Sequence, residues 1–389
     1  MKRATRPRRC IALGVDATYS ANAIVKTNTE NRARSIIVAL YPCRTLGFLA
    51  LPSLWPTLHW LATGESWPPA SDAAATRFVE RVTQESLLPL LGGNADLPPL
   101  VRAAVSNHSA MLRANLARTE MIAQALATIS KMMGREPLIV LKGCDFAFRL
   151  YDRPELRPMG DVDVLVREGE MDRIAGLLTE RGLQREYPAG PASRSRSHHE
   201  ATFRVRAVTV EVHHRFVQKP RYRIDYNRVW NRAAPLTAAG AEVLRLSNVD
   251  AFVYQTISIG LKYFVSPLIR FVDLWQIRHT EPDLIARAAV LAHEWQARHV
   301  FYAVLRYAGT LFPEFRDHET ESTLAAMLGR PRRELLDRFV LPPHRGGRPG
   351  TPSRARQLWQ KFWLMDSMSR RVAFVASHTA ASIAGRFRG

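Results

Sequence analysis

Two aspartates stand one residue apart in the run GDVDVLV, at Asp161 and Asp163. In an extended strand, residues two apart share a face, so both carboxylates point one way while Val162, Val164 and Val166 point into a core. Carboxylates side by side repel each other and cost stability unless a cation sits between them. A divalent cation is the usual remedy, and Mg2+ takes carboxylate oxygens together with substrate phosphates. A later run, VTVEVHH, repeats the alternation, with Val208, Val210 and Val212 on one face and Thr209, Glu211 and His213 on the other. If both sets of valines enter one core, Glu211 joins Asp161 and Asp163 on the polar side. Three carboxylates on adjacent strands suit two-metal phosphoryl chemistry. The plain alternative is the solvated polar face of an edge hairpin.

The residues upstream favour phosphate. Lys142 and Gly143 lie between the β-rich run PLIVL and the helical run CDFAFRLYD. At such a turn the backbone N–H groups and the helix dipole attract phosphate. Arg157, four residues before Asp161, carries a guanidinium suited to bidentate phosphate contact. His213 is expected to face the carboxylates, as a phosphate contact or as a support for metal ligands. The pairs His198–His199 and His213–His214 invite a zinc reading, but adjacent strand residues face opposite sides and no HExxH or cysteine partner is present. Cys144 reads as a small residue packed under the turn rather than as a nucleophile. Asp273, in IRFVDLWQI, is expected to serve structure by pairing with Arg270 or Arg278, the other reading being a reach to nucleotide.

The chain that positions these residues has 389 of them, 47% hydrophobic and 23% charged, which excludes a mainly disordered protein and suggests two or three structural units. No stretch approaches 18 uninterrupted apolar residues, so stable membrane insertion is not expected. Three scattered cysteines exclude a disulfide framework and point to a reduced, cytoplasmic compartment. Lys and Arg outnumber Asp and Glu by 55 to 35, and only seven of the cations are lysine. A basic chain attracts polyphosphates, nucleic acid or acidic membrane. Here the arginines are spread along the sequence without long blocks, and the charge alone names no partner.

Residues 1–45 begin with MKRATRPRRC and read as a flexible or wrongly assigned N-terminal extension. Residues 46–135 read as a helical region. Its clearest helix has Leu112, Leu116, Thr119, Ile122, Leu126, Ile129 and Met133 at three- and four-residue steps, closed by Gly134. Residues 136–235 hold four strand candidates and two short helices, with a hairpin expected through Arg206 and Ala207. Residues 236–335 read as a helical domain whose main helix starts at the capping-box-like Ser247–Asp250. Residues 336–389 read as a linker and a C-terminal helix of mixed aromatic and basic character. The expected class is α+β: a small mixed-sheet core flanked by helical N- and C-terminal regions.

The stretch Leu141–Val166, LKGCDFAFRLYDRPELRPMGDVDVLV, resembles the motif of a family of uncharacterised bacterial nucleotidyltransferases in the polymerase-beta-like superfamily. Those proteins pair a Leu-Lys-Gly turn with an Arg-Pro-x-x-Asp-x-Asp strand and a later Val-Glu-x-His strand, here Val210-Glu211-Val212-His213. The resemblance spans roughly residues 50–375. It implies transfer of a nucleotidyl group from an NTP with Mg2+ or Mn2+ as cofactor. Asp161 and Asp163 would bind metal, and Glu211 would be the third carboxylate or the general base. Lys142, Gly143, Arg157 and His213 would hold nucleotide. The Gly-Ser turn usual in the superfamily is Gly143-Cys144 here, and the gap to Asp161 is longer than usual. The acceptor is expected to be a small molecule or peptide rather than RNA, since no RNA-binding module is visible. The alternative is a catalytically inactive module of the same fold that binds RNA or another acidic partner.

Overall fold

The computed structural model describes residues 54–186, 200–217, 221–341, 353–374 and 376, with 64 and 95 excepted. The extension expected over 1–45 and the pair His198–His199 lie outside the described residues. Five helices come first: α1 Leu54–Thr63, α2 Asp72–Gln84, α3 Leu88–Gly92, α4 Pro99–Ser106 and α5 Ser109–Met133. The middle of the chain follows as β1 Ile139–Leu141, α6 Lys142–Leu150, β2 Asp161–Leu165, α7 Met171–Glu180, β3 Gln184–Arg185, β4 Glu200–Val205 and β5 Val208–His213. It continues through α8 Tyr226–Arg232, β6 Ala234–Ala238 and β7 Ala241–Arg245. The last helices are α9 Asn248–Leu261, α10 Ile269–Arg278, α11 Leu284–Glu294, α12 Arg298–Ala308, α13 His318–Met327, α14 Arg330–Phe339 and α15 Arg354–Trp363.

The strands form one mixed sheet in the order β3-β4-β5-β2-β1-β7-β6, flanked by the helices, as the α+β expectation requires. The hairpin expected through Arg206 and Ala207 forms, with β4 antiparallel to β5 and Arg206 at φ 54 in the turn. Strands β3, β6 and β7 are additional to the four candidates that alternation suggests. The last two enter as a hairpin whose second strand pairs in parallel with β1.

Alternation divides the sheet between two cores. Val162 and Val164 of β2 and Val208, Val210 and Val212 of β5 pack with Ile122, Leu126 and Ile129 of α5 and with Ile174 and Leu178 of α7. The helix face read from the sequence is buried from Thr119 onward, while Leu112 and Leu116 near its start are only half-buried. On the opposite side of the sheet, Ile139, Leu141 and Leu165 belong to a larger core shared with the helices at both ends of the chain. Its centre is α9, buried at every position from Val249 to Gly260 and packed against α10, α11 and α12. Apolar side chains on every face of this helix require it to be enclosed on all sides. Its buried polar residues Asp250, Gln255, Thr256 and Ser258 find hydrogen-bond partners within the fold. Ser247 caps the helix, its Oγ accepting from Asp250 N at 3.1 Å, while the Asp250 carboxylate pairs with Arg232 at 2.7 Å.

Candidate active site

The side chains singled out by type and spacing converge where β1, β2 and β5 lie side by side. Strand β2 runs parallel to β5 with Asp163 opposite Glu211, Leu165 opposite His213 and Asp161 opposite Thr209. Strand β1 flanks β2 on its other edge, with Leu141 opposite Asp163, so the chain leaves β1 at Lys142 directly beside that aspartate. Local sequence dictates which face they occupy. The valines take the α5 side, and the pleat then sends Asp161, Asp163, Glu211 and His213 toward the helices beyond.

Asp163 is the hub. Lys142 donates from Nζ to its Oδ1 at 2.8 Å, and His213 Nε2 lies 2.8 Å from the same oxygen. His213 Nε2 is also 3.4 Å from Glu211 Oε2, and its Nδ1 is 3.4 Å from Glu200 Oε2. Asp163, Glu211 and His213 each offer a ligand atom within 4.8 Å of the others, a carboxylate-and-imidazole set that could hold a metal ion. Sequence reasoning placed Asp161 in that group. The structure sets it two residues earlier on the same face of β2, half-buried, and brings His213 into the cluster.

The electrostatics follow from burial against pairing. Burial opposes the Asp163 charge, but Lys142 and His213 outweigh it and hold the carboxyl well below its usual range. Burial would also lower Lys142, yet Tyr254, Asp163 and Glu211 raise it above an ordinary lysine. His213 is raised in the same way, burial being overcome by its contacts with Asp163 and Glu211. Asp161 goes the other way from its neighbour: burial first, then repulsion from Asp163 and Glu211, lift its pKa.

Arg157 meets a different partner from the one its position suggests. Its guanidinium forms a bidentate pair with Asp273 of α10, Nη2 to Oδ2 at 2.7 Å and Nε to Oδ1 at 3.3 Å, and donates from Nη1 to Pro158 O at 3.1 Å. Tyr151 Oη donates to Asp273 Oδ1 at 2.8 Å, and Gln255 Nε2 donates to Asp273 Oδ2 at 3.3 Å, completing a buried network. Asp273 therefore pairs with Arg157, and the expected partners go elsewhere, Arg270 to Ser258 and Arg278 to Asp317. A Cβ on Gly143 would collide with Arg157 Nη1, so the turn needs glycine for this close approach. Cys144 is buried beneath the turn in the valine core, and burial pushes its thiol up, which fits a packing role.

Three residues at the site carry no local sequence signal. Glu200 opens β4 opposite His213. Tyr254 of α9 lies beside Lys142, and burial pushes its phenol up to about 12 against the opposing influence of that lysine. Phe216 stacks on Tyr254 with ring centroids 4.2 Å apart.

An acidic cluster on one face of a mixed sheet, with a lysine held against it, is suited to divalent cations and phosphates. The chain belongs to the family of uncharacterised nucleotidyltransferases, whose model matches residues 71–313, more than half its length. No curated protein matches the chain. Among the described residues, no helix is long and apolar enough to cross a membrane.

Proposed function

We propose that this protein transfers a nucleotidyl group from an NTP to an acceptor in a divalent-metal-dependent reaction of the polymerase-beta-like kind. The observation that carries the reading is the parallel register of β2 and β5, which sets Glu211 beside Asp163 at the mouth of the Lys142–Gly143 turn. Asp161, Asp163 and Glu211 would hold Mg2+ or Mn2+, an oxygen donor set that both ions accept, with His213 at its edge. The metal supplies charge neutralisation at the phosphates and lowers the acceptor pKa.

The chain's own residues account for the rest. Lys142 and the N–H groups opening α6 receive the phosphates. Arg157 supports that grip from behind, through its contact with the turn and its pair with Asp273. His213 bridges Asp163 and Glu211 and fixes their orientation. An acceptor oxygen attacks the α-phosphorus and its proton passes to Glu211. The bond from that phosphorus to the bridging oxygen breaks, and pyrophosphate leaves. The acceptor we favour is a small molecule or peptide in the cytoplasm.

The test is label transfer from α-32P-labelled NTPs to fractionated small-molecule and peptide pools, with and without Mg2+. Metal-dependent transfer that Asp161→Ala and Asp163→Ala abolish is the expected result. NTP binding and turnover that ignore both substitutions would remove the proposal.

A further inference from the structure

Asp163 Oδ1 is the oxygen on which the site turns, and the chain fills its surroundings with its own cation. The Lys142 ammonium lies 2.8 Å from that oxygen, and the carboxylate it meets is buried. The backbone is bent to put it there. Lys142 has φ 50, in the left-handed region that a long side chain rarely adopts, and such strain persists only where the surroundings impose it. The imposing contacts are visible. The next residue, Gly143, is packed against Arg157, which is fixed in turn by Asp273. Tyr254, buried and stacked on Phe216, lies beside the ammonium.

An ammonium and a divalent cation cannot occupy the same side of one carboxylate oxygen, because two cations that close repel strongly in a partly buried site. We infer that Lys142 is a built-in stand-in cation for Asp163, which keeps the site closed to a free divalent ion and yields it when the phosphates of an incoming NTP draw the ammonium away. The inference rests on the metal-dependent reading above and adds an order of events to it. The phosphates offer the ammonium an anionic partner equivalent to the one it leaves, so the exchange keeps every charge paired. Free metal has no such compensation to offer, and nucleotide and metal are coupled reciprocally.

The experiment titrates the full chain with Mn2+ alone and reads the free ion from its electron paramagnetic resonance signal. The wild type should bind Mn2+ weakly. Lys142→Met and Lys142→Gln, which remove the charge, should each bind it at least about tenfold more tightly, a typical size for a coupling between sites. Lys142→Arg keeps the charge and should stay as weak as the wild type. Adding Asp163→Asn to Lys142→Met should abolish the gain. Mn2+ binding by Lys142→Met and Lys142→Gln no tighter than wild type would overturn the stand-in role. So would tight Mn2+ binding by the wild type itself, a result that needs no variant to fold; if Asp163→Asn abolishes that binding, the metal site stands and only the stand-in role falls. Binding in Lys142→Met that survives Asp163→Asn puts the metal elsewhere, and then the metal-site reading falls together with this one.

Discussion

Arg157 and Asp273, 116 residues apart in the chain, meet in a buried bidentate ion pair that ties the loop before β2 to helix α10. Breaking such a pair by removing one partner strands a buried charge, which costs about 3–5 kcal/mol. Asp273→Leu and Arg157→Met should each lose stability of that order in urea unfolding. The double variant should lose less than either alone, because no charge is left stranded. Losses that simply add would show that the two side chains are not coupled.

Gly143→Ala tests the brace between this pair and the turn. The added methyl must displace the Arg157 guanidinium, whose other contacts are fixed by Asp273 and Pro158. The expected cost is about 1–3 kcal/mol of stability, typical for a steric conflict at a packed site. Nucleotide affinity, measured by isothermal titration, should fall with it. An alanine variant with wild-type affinity would mean that the turn is free to shift.

Glu211→Gln keeps shape while deleting a negative charge and the proposed base. Turnover should fall by about 100-fold or more, the usual range for a lost general base. The circular dichroism spectrum and melting midpoint should stay close to wild type, because Glu211 is only half-buried on the sheet face. Full activity in this variant would mean that β5 contributes no base.

Asp161 carries a prediction about pH. Burial and the neighbouring Asp163 and Glu211 raise its pKa in the folded protein above the unfolded value. Its ionised form therefore costs stability at neutral pH, and that cost vanishes as pH falls through the folded pKa toward the unfolded one. Asp161→Asn should stabilise the metal-free protein at pH 7 by on the order of 1 kcal/mol, as relief of a strained functional site commonly does. The difference in melting midpoint should close as the buffer is taken to pH 4, and should also shrink in Mn2+. A variant less stable than wild type at pH 7 would contradict the repulsion.

The sequence determined what can be read within one element. Period-two alternation in GDVDVLV and VTVEVHH set which side chains share a face, because the pleat leaves no other arrangement once the valines are buried. The three- and four-residue spacing of α5 did the same for the helix that covers those valines. Pairing lay beyond it. Nothing local states that β2 and β5 are parallel neighbours with Asp163 opposite Glu211, since register is settled by cores that close over the whole sheet. Strands β6 and β7 were illegible because they are short and partly exposed, with no run of alternating apolar residues to announce them. Asp273 could be seen as a charge on an apolar helix, but local spacing offers only partners on its own helix, Arg270 and Arg278. Its true partner comes from another part of the chain, brought close by the packing of α10 against α6. Tyr254 was hidden for the opposite reason: on a helix buried all round, no periodicity marks the one face that looks onto Lys142. Local alternation thus fixed the chemistry on offer, and long-range packing decided which groups meet, because contact between distant segments depends on the whole core and not on any one stretch of it.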